Sequence, residues 1–203
     1  MPKWMRTSAV LFVFLAVVST SHAYMEHADI TKRWGVGFNL SGSVPSSNSA
    51  DPGMSPVVNF NYGIIDHIAL QVELGYTEMN YEALGIDFGD VQGVPLVFSV
   101  QWRYPFLFSS VPATAYAVTG FGTIFWEFDN TGDSRATVTE VEDAFVFKLG
   151  GGADFFVTDN WVANVEASYY FSDTTVSLVD AGGSSVEAET DFWRIGGGAK
   201  YFF

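Results

Sequence analysis

The last stretch of the chain, Thr190 to Phe203 (TDFWRIGGGAKYFF), divides cleanly when read two residues at a time. Trp193, Ile195, Gly197, Ala199, Tyr201 and Phe203 form one set, apolar with aromatic residues at both ends. Phe192, Arg194, Gly196, Gly198, Lys200 and Phe202 form the other, which carries two positive charges and small residues. A period of two places the sets on opposite faces of a strand. An apolar face ended by aromatics, backed by a charged face, suits a strand that has lipid outside and a polar interior behind it, as in a closed membrane barrel.

The rest of the chain repeats the pattern. Alternation predicts strands over 32–43, 56–62, 68–77, 94–104, 114–128, 144–157 and 161–171, with 190–203 as the eighth. Breaker-rich or acidic stretches at 44–53, 80–93, 129–143 and 172–189 read as long loops. Ile65-Asp66-His67, Pro105 to Pro112 and Thr158-Asp159-Asn160 read as short connections. Long and short therefore alternate, the rhythm of an up-and-down barrel with short periplasmic turns and longer extracellular loops. The expected fold is all-β, an eight-stranded antiparallel transmembrane β-barrel with both termini on the periplasmic side. Its interior should be just wide enough for side chains to fill. In the strand over 114–128, Tyr116, Val118, Ile124 and Trp126 are assigned outward as the more apolar set.

The first residues read as an export leader. Lys3 and Arg6 precede the apolar run Ala9 to Val18, and Ser21-His22-Ala23 offers small residues for cleavage after Ala23. The run is too short for a spanning helix. The domain is then 24–203. Of 9 Lys+Arg in the chain, two fall in the leader, leaving 7 against 23 Asp+Glu. That excess of acid, with no basic patch, argues against nucleic acid as a partner. There is no Cys, and the 3 His are scattered at His22, His27 and His67, so neither a metal cluster nor a base-assisted nucleophile is expected. The reading is of a protein with no catalytic role and no cofactor.

An internal repeat supplies the candidate site. Phe147 to Phe156 (FKLGGGADFF) and Trp193 to Phe202 (WRIGGGAKYF) align without a gap. The glycines precede strand rather than helix, so they do not form a phosphate loop. Both copies would run downward on either side of the strand carrying Glu166. Inward Gly150, Gly152, Gly196 and Gly198 would then leave room for Glu166 and Tyr170. Charges in a narrow barrel must be matched. The expected lumen network joins Lys148, Arg194 and Lys200 to Glu166 and Asp154, with Glu73 and Arg103 as a second pair.

Three segments, VPLVFSVQWRYPF (Val94 to Phe106), AYAVTGFGTIFWEFD (Ala115 to Asp129) and GGGADFFVTDNWVANVEASYYF (Gly150 to Phe171), resemble the small outer-membrane barrels of the OmpW type. The aromatic ending at Tyr201 and Phe203 is similar to the assembly signal read by the outer-membrane insertion machinery. The resemblance implies an outer-membrane location among lipid and lipopolysaccharide. It also implies a narrow, partly hydrophobic barrel that passes small hydrophobic molecules, and no catalytic residues. From the residues alone two other readings stay open. One is a structural or adhesive surface barrel with acidic outer loops and a plugged lumen. The other is a soluble β-sandwich, since alternation does not say which face is wet.

Overall fold

The computed structural model describes residues 29–46, 50–83, 86–108, 111–129, 137–141, 143–179 and 184–203. The leader and its cleavage position Ala23 lie outside them. Twelve strands are formed: β1 Trp34–Pro45, β2 Ala50–Asp51, β3 Gly53–Ile65, β4 Ile68–Gly75, β5 Thr77–Ala83, β6 Ile86–Phe108, β7 Val111–Asp129, β8 Thr137–Val141, β9 Ala144–Phe156, β10 Trp161–Val179, β11 Ser184–Glu189 and β12 Phe192–Phe202. Eight of them make the wall. β1, β3, β4, β6, β7, β9, β10 and β12 pair in that order, each antiparallel to the next. The ring closes where β12 pairs with β1, from Gly35↔Phe202 to Pro45↔Phe192. Closure removes every free edge from the wall, as hydrocarbon surroundings require.

The register sets the shape. Followed across the ladders from Gly35, the line passes Asn61, Gln71, Ser99, Gly120, Lys148, Tyr170 and Phe192 and returns to β1 at Pro45. The stagger is thus from residue 35 to residue 45 of one strand. For eight strands that slope corresponds to a tilt of roughly 40°. The outward faces are apolar throughout, with Trp34, Phe38, Phe60, Phe98, Phe145 and Ile195 all exposed. No water-soluble sandwich leaves such a continuous apolar surface bare; it is the face of a transmembrane barrel.

Three expectations need correction. The stretches assigned to long loops contain paired strand. β5 forms a hairpin with the first part of β6, β11 and β8 pair with the distal part of β10, and β2 pairs with β5. The acidic, breaker-rich composition of these stretches does not preclude paired backbone. The turn assigned to Pro105–Pro112 is likewise strand: β6 runs to Phe108, β7 begins at Val111, and Leu107 pairs with Pro112. Finally, β7 faces the other way from its assignment. Tyr116, Val118, Ile124 and Trp126 are buried in the lumen, while Phe121 and Phe125 are exposed to the outside. Both faces of β7 are apolar, so hydrophobicity could not orient it. The aromatic Phe121 and Phe125 take the lipid side, and Gly120 and Gly122 share the inward side with Tyr116 because Ser99 and the β6 backbone at Leu96–Phe98 crowd it.

The lumen as candidate functional site

The lumen is filled in layers. The floor, at the end that holds the C-terminus, is apolar: Ile30, Ala69, Phe156, Val162 and Phe202 are buried together. Ile30 comes from the segment before β1, which turns under the barrel. Arg33 N–H donates to Ile30 O at 3.0 Å and Lys32 N–H to Gly63 O at 2.7 Å, with Lys32 at φ 59°. Gly63 is required there, because a Cβ would collide with the backbone carbonyl of Ile30. Arg33 fixes the turn to the end of the chain, donating from Nη2 to Phe202 O at 3.0 Å and from Nε to Phe203 O at 3.2 Å. Its Nη1 donates to Asp159 O at 2.8 Å.

Above the floor lies a first ionic group. Asp154 Oδ2 meets Arg103 Nη1 at 2.9 Å and Asp154 Oδ1 meets Lys200 Nζ at 2.8 Å. Lys200 also stands 4.9 Å from the centre of the Tyr116 ring. A belt of neutral amides follows, with Asn39, Asn59, Asn61, Gln71, Gln101 and Asn164 all buried.

Higher again is a second ionic group. Glu73 Oε2 accepts from Lys148 at 2.8 Å and from Arg194 Nη2 at 2.6 Å, and its Oε1 accepts from Tyr170 O–H at 2.6 Å. Glu166 Oε1 meets Lys148 at 2.7 Å and Arg194 at 3.8 Å, while its Oε2 accepts from Tyr116 O–H at 3.1 Å. All four charged side chains are almost completely buried. The Tyr170 ring covers this group, with the Arg194 guanidinium 4.6 Å from its centre. Phe192 stacks on it with ring centres 4.8 Å apart, nearly parallel at 2°. The top layer is again apolar, a collar of Val97, Ile124, Trp126, Ala144, Val146, Tyr170 and Phe192.

The structure gathers all seven predicted lumen charges, but in a different pairing. Glu73 joins Lys148 and Arg194 rather than Arg103, and Arg103 joins Asp154. The ladders explain why. Glu73 stands opposite Val97 on β6, so Arg103 lies six residues nearer the floor, roughly 20 Å along the strand. The glycine flanks are also selective. Glu166 sits between Gly152 and Gly196, whereas Tyr170 has Lys148 and Phe192 as cross-strand neighbours. The space over Gly152 is taken by Tyr116, whose Oη would lie 2.5 Å from an added Cβ. Tyr116 and Tyr170 as carboxylate partners, and Ile30 and Arg33 as floor and fastening, were not foreseen. Only the inward parity of β7 could have pointed to Tyr116, and nothing in the sequence marks Ile30.

A closed eight-strand wall, an apolar outer face and a filled lumen define a small transmembrane β-barrel. Among solved structures the fold is similar to the outer membrane protein OprG from Pseudomonas aeruginosa, with a TM-score of 0.74 at 14% identity, covering 87% of this chain and 98% of that one. It is also similar to the outer membrane protein AlkL in DMPC lipid bilayers, with a TM-score of 0.58 at 18% identity, covering 91% and 94%. A third similar fold is the E. coli Outer Membrane Protein W, with a TM-score of 0.51 at 17% identity, covering 85% and 98%. At these identities the likeness is one of fold. No protein-family model matches the chain, and no curated protein sequence matches it.

Proposed function

We propose that this chain is an integral outer-membrane barrel of the OmpW type that admits small hydrophobic molecules from the outer side and releases them sideways into the membrane. The observation that carries the reading is the layering of the lumen beside a break in its wall. An apolar solute meets a matching surface in the collar around Val97, Ile124, Val146 and Phe192. Below the collar, the buried ionic group around Glu73 and Arg194 offers it nothing and opposes its descent.

At that same junction the ladder between β4–β5 and β6 is interrupted. It is formed up to Leu74↔Leu96 and resumes at Thr77↔Gly93. Tyr76 N–H donates to Pro56 O on β3 at 2.9 Å. Backbone groups alternate in direction along a strand, so Gly75 is the residue that faces β6. Opposite it stands Pro95, which has no N–H to donate. The wall is therefore weakest where the apolar layer ends.

The apolar outer band supports a reading with lipid and lipopolysaccharide as the surroundings, and the aromatic ending at Tyr201 and Phe203 is the feature the insertion machinery would read. The reading assigns no catalytic step to the chain. The test is uptake of an apolar solute by vesicles containing the refolded barrel. Wild type should exceed empty vesicles, Trp126→Ala should take up more, and Pro95→Val, which restores the missing donor, should take up less. Uptake equal to that of empty vesicles would favour the structural or adhesive reading, which the two ionic layers and the floor also suit.

A further inference from the structure

We propose that the lower lumen binds one small monovalent anion of the halide class, held by Arg103 and the amides beside it. The starting point is charge. The upper ionic group balances, with Glu73 and Glu166 against Lys148 and Arg194. The lower group does not: Asp154 alone faces both Arg103 and Lys200. Among the described residues no other acid is buried at that level; Asp29, Asp66 and Asp159 are exposed. One positive charge is left over in a site where Arg103 and Lys200 are each 1% exposed. An unmatched charge at such depth is strongly unfavourable. The Tyr116 ring near Lys200 offsets it only in part.

The second observation is independent of charge. Both oxygens of Asp154 are already engaged, and Arg103 Nη2 has no protein partner. Neither do the amide nitrogens of Gln101 and Asn164, both buried, and the Asn164 Oδ1 is unpartnered as well. Gln101 turns its Oε1 toward Arg103 Nη1 at 3.4 Å, leaving its Nε2 unpartnered. Asn164 stands directly across from Asp154 on the neighbouring strand. A guanidinium nitrogen and two amide donors, in a region short of one negative charge, are the recognition chemistry of a small anion. A divalent anion would overshoot the single excess charge. A bulky organic acid would not pass the ionic group and the stacked Tyr170–Phe192 pair above.

The experiment uses the whole barrel, refolded from urea separately in sodium chloride and in sodium gluconate of equal ionic strength. Chloride should raise the thermal unfolding midpoint with the logarithm of its concentration, by roughly 5–10 °C at about a hundredfold excess over its dissociation constant. Arg103→Gln, which makes the lower group neutral, should remove the difference between the salts. Crystals of the wild type grown in bromide should show one anomalous peak within hydrogen-bonding reach of Arg103 Nη2. If Arg103→Gln does not refold, the wild-type measurements decide. Equal midpoints in the two salts, or bromide only on the surface, would overturn the proposal.

Discussion

Glu73 is the residue on which the upper ionic group depends. Glu73→Gln keeps the shape but removes the charge. Lys148 and Arg194, 2.8 Å and 2.6 Å from Glu73 Oε2, would then share Glu166, which reaches Arg194 only at 3.8 Å. Glu73 is 1% exposed, so solvent screening does not soften the loss. Removing one partner from a buried ion pair costs about 3–5 kcal/mol, a large share of the roughly 5–15 kcal/mol that holds a domain folded. The double replacement Glu73→Met with Arg194→Met removes one charge of each sign and leaves Lys148 with Glu166. Apolar replacement of a matched pair is close to neutral, so the double variant should lie within about 2 kcal/mol of wild type, with a coupling of about 4 kcal/mol or more between the sites. The assay is urea unfolding in phospholipid vesicles, followed by tryptophan fluorescence and checked for a constant dependence on urea. A loss below about 1 kcal/mol for Glu73→Gln, or additive effects of the two methionine replacements, would refute the reasoning.

Three further outcomes follow from the packing. Gly152→Val should drive the new Cβ into the backbone carbonyl of Val165 and displace the Tyr116 ring, whose Cζ would lie 2.6 Å away, and cost about 1–3 kcal/mol in the same urea assay; an unchanged midpoint would show that the wall has room to spare at this position. Ile30→Asp puts an unmatched carboxylate into the apolar floor beside Phe156 and Phe202 and should cost about 1–3 kcal/mol in the urea assay without raising conductance in planar-bilayer recordings, because both ionic layers and the collar remain above it; a conducting variant would show that the floor alone closes the lumen. Deleting Phe203 removes one backbone hydrogen bond to Trp34, 2.8 Å long, and an edge contact with Tyr201. Stability in vitro should fall by only about 1 kcal/mol, whereas heat-modifiable barrel in cell membranes should drop sharply; normal assembly in cells would show that the terminal aromatic is not read.

Most of the wall was legible because each strand reports its own faces. On β12, Arg194 and Lys200 cannot point to lipid, so Trp193, Ile195 and Tyr201 must, and the parity follows from one strand alone. The repeat was legible for the same reason: Lys148 and Arg194 occupy one position of it, Asp154 and Lys200 another, and the fold brings each set to its own level. What the sequence hid was relative height. Whether Arg103 meets Glu73 or Asp154 depends on the stagger accumulated across several ladders, and no single strand carries that information. β7 was misread because its lumen side belongs to the apolar collar, so the polar-inside rule had no purchase there.

The separation of the two ionic groups bears on what the barrel excludes. A continuous column of charge through the lumen would draw water along its length and offer an ion successive partners. Here the charged layers are divided by neutral amides, bounded below by Ile30, Phe156 and Phe202 and above by Tyr170 and Phe192. An ion leaving the upper group would have to desolvate against aromatic rings in one direction. In the other it would have to displace the pairing of Asp154 with Arg103 and Lys200. The collar is free of such partners, and it adjoins the part of the wall where Pro95 leaves Gly75 without a donor. In the proposed function, the layering that opposes ions along the axis is the same layering that directs an apolar solute toward the wall.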